Sequence, residues 1–252
     1  MPDYDGVAAE DDQRYVVDAY TGTRDCILNW LFGLEFPRVL EVGCGTGKWL
    51  ELLAAHGCAA SGVDRSAEML LRAEALVDRT GVELKQGTAE ALPWPAETFD
   101  AVLFVNALHH VRDPRLALRE AYRVLRPQGR FLSIGLDPHA RKGSWFVYDY
   151  FPETLEIDRS RYPSRDRRGS WLLAAGFDEV QVSIAEHLHA KRTYEQARQQ
   201  GILEPTYTSQ LSLLPPAAYD AGITRLRAAA GGDPSFELEA DLYLFATTAR
   251  KT

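Results

Sequence analysis

Short apolar runs alternate with segments of helical period through the first half of the chain, and this alternation restricts the fold more than any other feature. The sequence predicts strands at five apolar runs, which lie at 39–42, 59–64, 82–86, 99–106 and 131–135. The segments between them place apolar residues on one helical face, as at Met69, Ala73, Leu76 and Val77. Strands separated by helices form parallel βαβ units. The pattern therefore predicts an α/β fold with a doubly wound, mostly parallel sheet.

The second half of the chain departs from this alternation. Residues 137–165 are rich in aromatic and arginine residues, and residues 190–234 are irregular to helical. Two further strands are predicted at 179–185 and 241–248. We therefore expect a single domain over 1–252, in which a sheet core carries two insertions.

Composition and charge limit the class of protein. The chain has 252 residues and a formal net charge of −8. Phosphate backbones repel such a chain, so we do not expect a nucleic-acid partner. The first residues are acidic and lack the apolar core of a signal peptide, and no apolar run approaches the length of a membrane span. The three cysteines form no CxxC pair, which favours reduced thiols. We expect a cytoplasmic protein without membrane insertion.

A glycine-rich turn follows the first predicted strand and opens onto a helix. Its glycines are Gly43, Gly45 and Gly47. Residues without a Cβ atom let a ligand approach the backbone closely, and a helix N-terminus offers free N–H groups to a carboxylate or phosphate. Open α/β sheets bind ligands beyond the carboxyl ends of their strands, where this turn lies. The turn therefore predicts a binding site, and the alternative is a tight turn without a ligand.

The spacing of the turn separates classes of ligand. The dinucleotide fingerprint places its third glycine where this chain has Lys48, which argues against a nicotinamide-dependent oxidoreductase. The phosphate-binding Walker pattern needs Ser or Thr after the lysine, and here Trp49 follows. Asp64 ends the second strand, and its carboxylate can accept both hydroxyls of a ribose. The alternative for Asp64 is a cap on backbone amides at the start of a helix.

Together these segments resemble the class I S-adenosylmethionine-dependent methyltransferases. The resemblance is carried by five runs, namely Leu40 to Gly47, Gly62-Val63-Asp64, Gly87 to Pro95, Asn106 to Pro114 and Arg123 to Leu132. It covers residues 38–135 densely and the rest of the chain loosely. The branch is similar to the small-molecule methyltransferases that include the ubiquinone and menaquinone biosynthesis enzymes. The resemblance implies a Rossmann-like sheet of seven strands with an antiparallel last strand. Residues 36–136 would be the cofactor-binding half, and 137–165 and 190–234 would be helical insertions that form a lid over the substrate.

The resemblance also implies S-adenosyl-L-methionine as the cofactor and a set of residues that contact it. The set comprises Glu41, Gly43, Cys44, Gly45, Asp64, Arg65, Met69, Thr88, Ala89, Glu90 and Asn106. Glu41 would orient the amino group and Asp64 would hold the ribose. Ala89 would offer its backbone to the adenine, and Asn106 would lie beside the methionine moiety. Thr88 departs from the family, which often has Asp there, and its uncharged hydroxyl is a weaker hydrogen-bond partner.

Two histidine pairs have weaker claims to a role. His109 and His110 follow the fourth strand, where they could act as a base or contact the acceptor; the structural interpretation, in which they shape the turn, is favoured. His187 and His189 share one strand face, but no third ligand has suitable spacing. We therefore predict no metal site.

The first insertion contains a cluster of aromatic residues and a cluster of arginines. The aromatic residues Trp145, Phe146, Tyr148, Tyr150 and Phe151 are equally consistent with a pocket wall and with packing of the insertion. The arginines are more typical of a solvated helix face than of an anion site.

The leading hypothesis is an enzyme that transfers a methyl group from S-adenosylmethionine to a small molecule. The sequence does not indicate whether the acceptor atom is O, N, C or S. The alternatives are a non-catalytic cofactor-binding module that regulates a partner, and methylation of a protein acceptor.

Overall fold

A single sheet organises the part of the chain described by the computed structural model, which covers residues 20–77, 81–140 and 142–252. Its eight strands are β1 (Arg38–Val42), β2 (Ala59–Asp64), β3 (Glu83–Gln86), β4 (Phe99–Val105), β5 (Leu125–Leu136), β6 (Ser144–Trp145), β7 (Phe177–Thr193) and β8 (Glu237–Lys251). Strands β1 to β5 are parallel in the order β3-β2-β1-β4-β5. Strand β8 pairs antiparallel with β5, β6 and β7.

Helices connect the strands and cover both faces of the sheet. The described helices are α1 (Thr21–Leu31), α2 (Lys48–Ala55), α3 (Ala67–Val77), α4 (Pro114–Val124), α5 (Phe146–Tyr150), α6 (Glu153–Arg161), α7 (Arg165–Ala174), α8 (Tyr194–Gln199), α9 (Ser209–Ser212) and α10 (Pro216–Ala230). One face of the sheet packs against α4 and α7, and the other against α1, α2 and α3. Burial on both faces explains why the central strands are mostly apolar.

The predicted fold class is confirmed, because the sheet is doubly wound and mostly parallel with an antiparallel β8. The strand β6, which has two residues, is an addition to the seven strands expected. Strands β7 and β8 are longer than the sequence indicates. They pair with each other from Phe177–Lys251 to Thr193–Glu237. The ladder therefore continues into the range expected for the second insertion.

The two insertions pack against each other around a shared apolar cluster. The first contributes Trp145, Phe146, Val147 and Phe151, and the second contributes residues from Ala197 to Leu226. Leu238 of β8 belongs to the same cluster. The insertions thus form one layer attached to the sheet through β8. None of the helices described here combines the length and the apolarity needed to cross a bilayer.

The two insertions approach each other closely at Gly222 of α10. A Cβ atom built there would overlap the ring of Phe151, which is fully buried. Gly222→Ala should therefore lower the free energy of unfolding by about 1–3 kcal/mol, as overpacking of a core typically does. Urea denaturation would measure the change.

Gly169→Ala on α7 is the matched control for this variant. Its added Cβ atom would lie 3.7 Å from Val180 Cγ1, an ordinary contact, so we expect no loss and a gain of up to about 1 kcal/mol. Equal urea midpoints for Gly222→Ala and the unmodified chain would show that the two insertions do not pack as described.

Candidate active site

The turn after β1 is built by glycines that pass close to neighbouring strands. Gly43 has φ +72°, and a Cβ atom there would lie 2.6 Å from Cβ of Ala107. The N–H groups of Gly43 and Cys44 both donate to the carbonyl oxygen of Val63, at 2.8 and 3.1 Å. Gly47, with φ +90°, precedes α2. Only a residue without a side chain fits at Gly43, and the turn is held against the end of β2.

Asp64 connects this turn with the next one along the chain. Its Oδ2 accepts from the Gly45 N–H at 3.0 Å, and its Oδ1 accepts from the Ser66 N–H at 3.0 Å. Burial raises the pKa of the carboxyl group although these hydrogen bonds act in the opposite direction. A carboxylate has about four lone-pair sites, so a capping role leaves it able to accept two hydroxyl groups as well.

Glu41 lies on β1 behind the turn, with 1% of its surface exposed. Its Oε2 has no hydrogen-bond partner among the described residues. Burial, together with the neighbouring charge of Asp64, raises the pKa of the Glu41 carboxyl well above its usual range. A buried polar atom without a partner is costly, and such an atom beside a cavity indicates a ligand that supplies the missing hydrogen bond.

Cys44 lies between these two acids and is not a nucleophile. Burial raises the pKa of its thiol well above the ordinary value, and the charges of Glu41 and Asp64 act in the same direction. The thiolate is the reactive form of cysteine, so the neutral thiol serves as a small apolar part of the site. All three cysteines are free thiols, as the sequence indicates.

The turns border a cavity of about 560 Å³, called the larger cavity below. Every residue predicted to contact the cofactor lines it: Glu41, Gly43, Cys44, Gly45, Asp64, Arg65, Met69, Thr88, Ala89, Glu90 and Asn106. They come from the ends of β1, β2 and β4 and the turns that follow them, from the segment after β3, and, for Met69, from α3. The carboxyl ends of parallel strands meet at one edge of a sheet, which is why residues distant in sequence converge here.

Two of these residues also have a distinct backbone role. Glu90 Oε1 accepts from the N–H groups of Arg112 and Asp113, at 2.9 and 3.1 Å, and so fixes the start of α4. Asn106 has φ +49°, in the left-handed region, and its N–H donates to Ile134 O at 2.8 Å. Asparagine tolerates this conformation better than most residues, and such positions concentrate at functional sites.

A second cavity of about 110 Å³, called the smaller cavity, adjoins the larger one. The two share Asn106, Tyr207, Thr208 and Ser209. The rest of the smaller cavity is lined by Tyr20, His109, Leu136, Trp145, Phe146, Tyr162, Leu188, Ala190, Arg192, Ile202, Gln210, Ala240, Leu242 and Leu244. It is therefore mostly apolar and aromatic, with walls from both insertions and from strands β5, β7 and β8.

The structure places the histidines of the two pairs in different environments. His110 lines the larger cavity, whereas the buried His109 lines the smaller one. His187 and His189 are exposed on β7 and lie beside Asp241 and Glu239, at 2.6 and 3.2 Å.

The aromatic residues of the first insertion also lie in different environments. Trp145 and Phe146 line the smaller cavity, while Phe151 is fully buried in the insertion cluster. The segment 206–209, which lines both cavities in part, carried no recognisable signal in the sequence. Only its Thr208 could have been identified, since it caps α9.

The larger cavity suits S-adenosylmethionine, the cofactor that the resemblance implies. The molecule carries an ammonium and a sulfonium charge, and two buried carboxyl groups border the cavity. The unpartnered Oε2 of Glu41 can accept from an ammonium, and Asp64 retains lone pairs for ribose hydroxyls. Met69 and Ala89 supply apolar surface for a purine.

Comparison with known sequences gives a consistent result. A family model described as a methyltransferase domain matches residues 40–133. The uncharacterized methyltransferase YcgJ of Bacillus subtilis is 38% identical over 136 residues, which are 53% of this chain and 51% of YcgJ. A ubiquinone biosynthesis O-methyltransferase of Pseudomonas fluorescens is 32% identical over 161 residues, which are 59% of this chain and 69% of that enzyme. The chain thus matches about half the length of the first relative and about two thirds of the second.

Solved structures share the fold. The crystal structure of Bacillus YcgJ has a TM-score of 0.65 at 22% identity and covers 91% of this chain and 97% of YcgJ. A methyltransferase of Thermotoga maritima, described as a possible histamine N-methyltransferase, has a TM-score of 0.61 at 21% identity, with 99% and 98% covered. A phosphoethanolamine N-methyltransferase of Haemonchus contortus, solved with S-adenosyl-L-methionine, has a TM-score of 0.57 at 19% identity, with 90% and 52% covered.

Sequence motifs, sheet topology and relatives agree on one family and one cofactor. The chain belongs to the class I S-adenosylmethionine-dependent methyltransferases.

Proposed function

We propose that this chain transfers the methyl group of S-adenosylmethionine to a small molecule that binds in the smaller cavity. The observation that carries the proposal is the contact between the two cavities at Asn106 and residues 207–209. A cofactor in the larger cavity and an acceptor in the smaller one would meet there. An acceptor surrounded by the walls of a 110 Å³ cavity is a small molecule or a small group.

Within this proposal the sequence-predicted residues hold the cofactor. Glu41 accepts from its ammonium group, and the neighbouring positive charge favours the carboxylate form of Glu41. Asp64 accepts from the ribose hydroxyls while it keeps its bonds to the two turns. The backbone of Ala89 meets the adenine edge, and Asn106 lies beside the methionine moiety. When bound, the cofactor supplies a methyl group on a good leaving group.

The chain then contributes mainly alignment and the exclusion of water. Methyl transfer is a displacement that requires nucleophile, methyl carbon and sulfur to lie in line, and correct placement accounts for much of the rate. Residues 137–165 and 190–234 are proposed as the lid that supplies this placement. Their side chains form the aromatic walls of the smaller cavity, which keep water from the reacting groups.

Removal of one charge at the ribose position tests the cofactor site. Asp64→Asn should weaken binding of S-adenosylhomocysteine by about 10- to 100-fold, because hydrogen bonds to a charged group contribute about 1.5–3 kcal/mol. Isothermal titration calorimetry would measure the dissociation constant.

Asp100→Asn is the matched control for Asp64→Asn. Asp100 pairs with Arg126 at the start of β4 and lines neither of the two cavities described above. Asp100→Asn should bind S-adenosylhomocysteine with the same dissociation constant as the unmodified chain. Equal affinity in Asp64→Asn would refute the assigned role. Cofactor binding without methyl transfer to any acceptor in a metabolite extract would instead favour a regulatory module.

Burial of Glu41 predicts a pH dependence of stability in the absence of cofactor. The pKa of Glu41 is raised on folding. Its contribution to the stability of the folded chain is therefore complete below its unfolded pKa of about 4.3. The contribution is lost as the pH rises toward the folded pKa. Because glutamine cannot ionise, Glu41→Gln does not lose stability in this way as the pH rises. Its melting temperature should exceed that of the unmodified chain at pH 7–8 by about 2–4 °C per kcal/mol gained, and the difference should shrink toward pH 4.

Thermal denaturation across this pH range would test the expectation, with Glu51→Gln as control because Glu51 is exposed on α2. The same Glu41→Gln variant should lose affinity for S-adenosylhomocysteine. A melting difference that is independent of pH would contradict a raised pKa of the buried Glu41 carboxyl group.

A further inference from the structure

The inner face of strand β7 carries a charged side chain in a row that is otherwise apolar. Successive residues of a strand point to opposite faces, so Leu188, Ala190 and Arg192 share one face and Lys191 belongs to the other. The three residues that share a face all line the smaller cavity, and Arg192 is half-buried. A charge on a face that otherwise packs apolar side chains breaks the local pattern, and such exceptions are typical of functional positions.

The outer face of β7 and β8 has a different pattern of charge. There the exposed side chains of His187, His189 and Lys191 lie beside Asp241 and Glu239 of β8. None of these five residues lines either cavity described above. Among the described residues that line the smaller cavity, Arg192 carries the one permanent charge, and no aspartate or glutamate occurs among them. The wall of the smaller cavity is therefore positive.

The pairing of the strands places Arg192 at one end of the smaller cavity. Leu136 of β5 pairs with Leu244 of β8, whereas Arg192 pairs with Leu238, farther along the same strand. The Asn106 N–H donates to a carbonyl oxygen of β5 two residues before Leu136. Asn106, which also lines the larger cavity, therefore lies at the opposite end from Arg192. The smaller cavity thus has a cationic end and an end that adjoins the larger cavity.

We propose that the methyl acceptor carries a carboxylate that binds Arg192 and presents its methyl-accepting atom at the Asn106 end. The proposal rests on the function proposed above, and it adds a class of acceptor and a specificity-determining residue. A guanidinium group has five N–H donors in a planar fork. It can therefore form two parallel hydrogen bonds with a carboxylate while it keeps other contacts.

The charge of the wall favours a carboxylate over other charged groups. One guanidinium neutralises one carboxylate, whereas a phosphate monoester carries a charge of about −1.5 to −2 at neutral pH and would remain partly uncompensated. An ammonium group would meet a like charge at Arg192 and would lack an acidic partner among the described lining residues. Trp145 and Phe146, which also line the smaller cavity, offer aromatic surface for an apolar body of the acceptor.

Three ligands with one apolar body and different end groups test the class of acceptor. 3-Phenylpropionate, 3-phenylpropylamine and 3-phenylpropyl phosphate are each titrated by calorimetry into the full chain saturated with S-adenosylhomocysteine. The carboxylate should bind at least about 10-fold more tightly than the amine or the phosphate, because only its charge matches that of Arg192. Equal or tighter binding of the amine or the phosphate, or no binding of the carboxylate, would overturn the proposal.

Two neighbouring residues of β7 provide a variant and its matched control. Arg192→Met removes the charge and keeps an apolar stem, so it should weaken binding of 3-phenylpropionate at least about 10-fold. Lys191→Met removes the same charge from the exposed face and should leave the dissociation constant unchanged. Equal affinity in Arg192→Met would show that only the stem of Arg192 contacts the ligand, and would refute the inference.

Binding of S-adenosylhomocysteine separates this inference from loss of the fold and from the proposed function. Arg192→Met should bind S-adenosylhomocysteine as tightly as the unmodified chain, which shows that the variant is folded. Should Arg192→Met fail to fold, Arg192→Lys serves in its place; it keeps the charge without the planar fork and should weaken binding of 3-phenylpropionate several-fold, and unchanged affinity would refute the bidentate contact. Failure of S-adenosylhomocysteine to bind the unmodified chain would instead refute the proposed function.

Discussion

The carboxylate of Asp64 determines the geometry of the site because it joins two turns that belong to different βα units. One oxygen accepts from Gly45 after β1, and the other accepts from Ser66 after β2. The two strands lie in parallel register, with Val42 beside Val63, so both turns emerge at the same edge of the sheet. Hydrogen bonds to a charged acceptor are about twice as strong as neutral ones. Together with the bonds of Gly43 and Cys44 to Val63 O, this group sets the starts of α2 and α3 and the space between them.

The same arrangement places energetically unfavourable groups at the wall of the larger cavity. Burial raises the pKa of Glu41 and of Asp64, which means that each carboxyl loses solvation on folding. Asn106 occupies a left-handed conformation at the end of β4. Each of these features costs stability in the free protein, and a ligand that carries positive charge and hydroxyl groups would offset the cost at the two carboxyl groups. Local rules that fail together at one edge of the sheet are typical of a functional site.

The sequence predicted those parts that depend on local patterns. Gly43 and Asp64 could be identified because a side-chain-free turn and a strand-ending acid are signals within one βα unit. The hydrogen bond of Tyr162 to His109 joins residues 53 positions apart, and its bond to Gln210 joins residues 48 positions apart. A local sequence pattern therefore predicts neither bond. Strand β7 was expected over 179–185, with a polar end at 186–189. It continues to Thr193 because much of its length is exposed and tolerates polar residues.

The two ends of the site therefore depend on different parts of the fold. His109 follows β4 three residues after Asn106, so the parallel sheet fixes its position. Tyr162 and Gln210 belong to the insertions, which pack on each other at Phe151 and Gly222 and attach to the sheet through β8. The 2.9 Å hydrogen bond between Tyr162 and His109 joins the insertion layer to the segment that follows β4. The smaller cavity is thus lined by both parts of the fold, with His109 on one side and Tyr162 on the other.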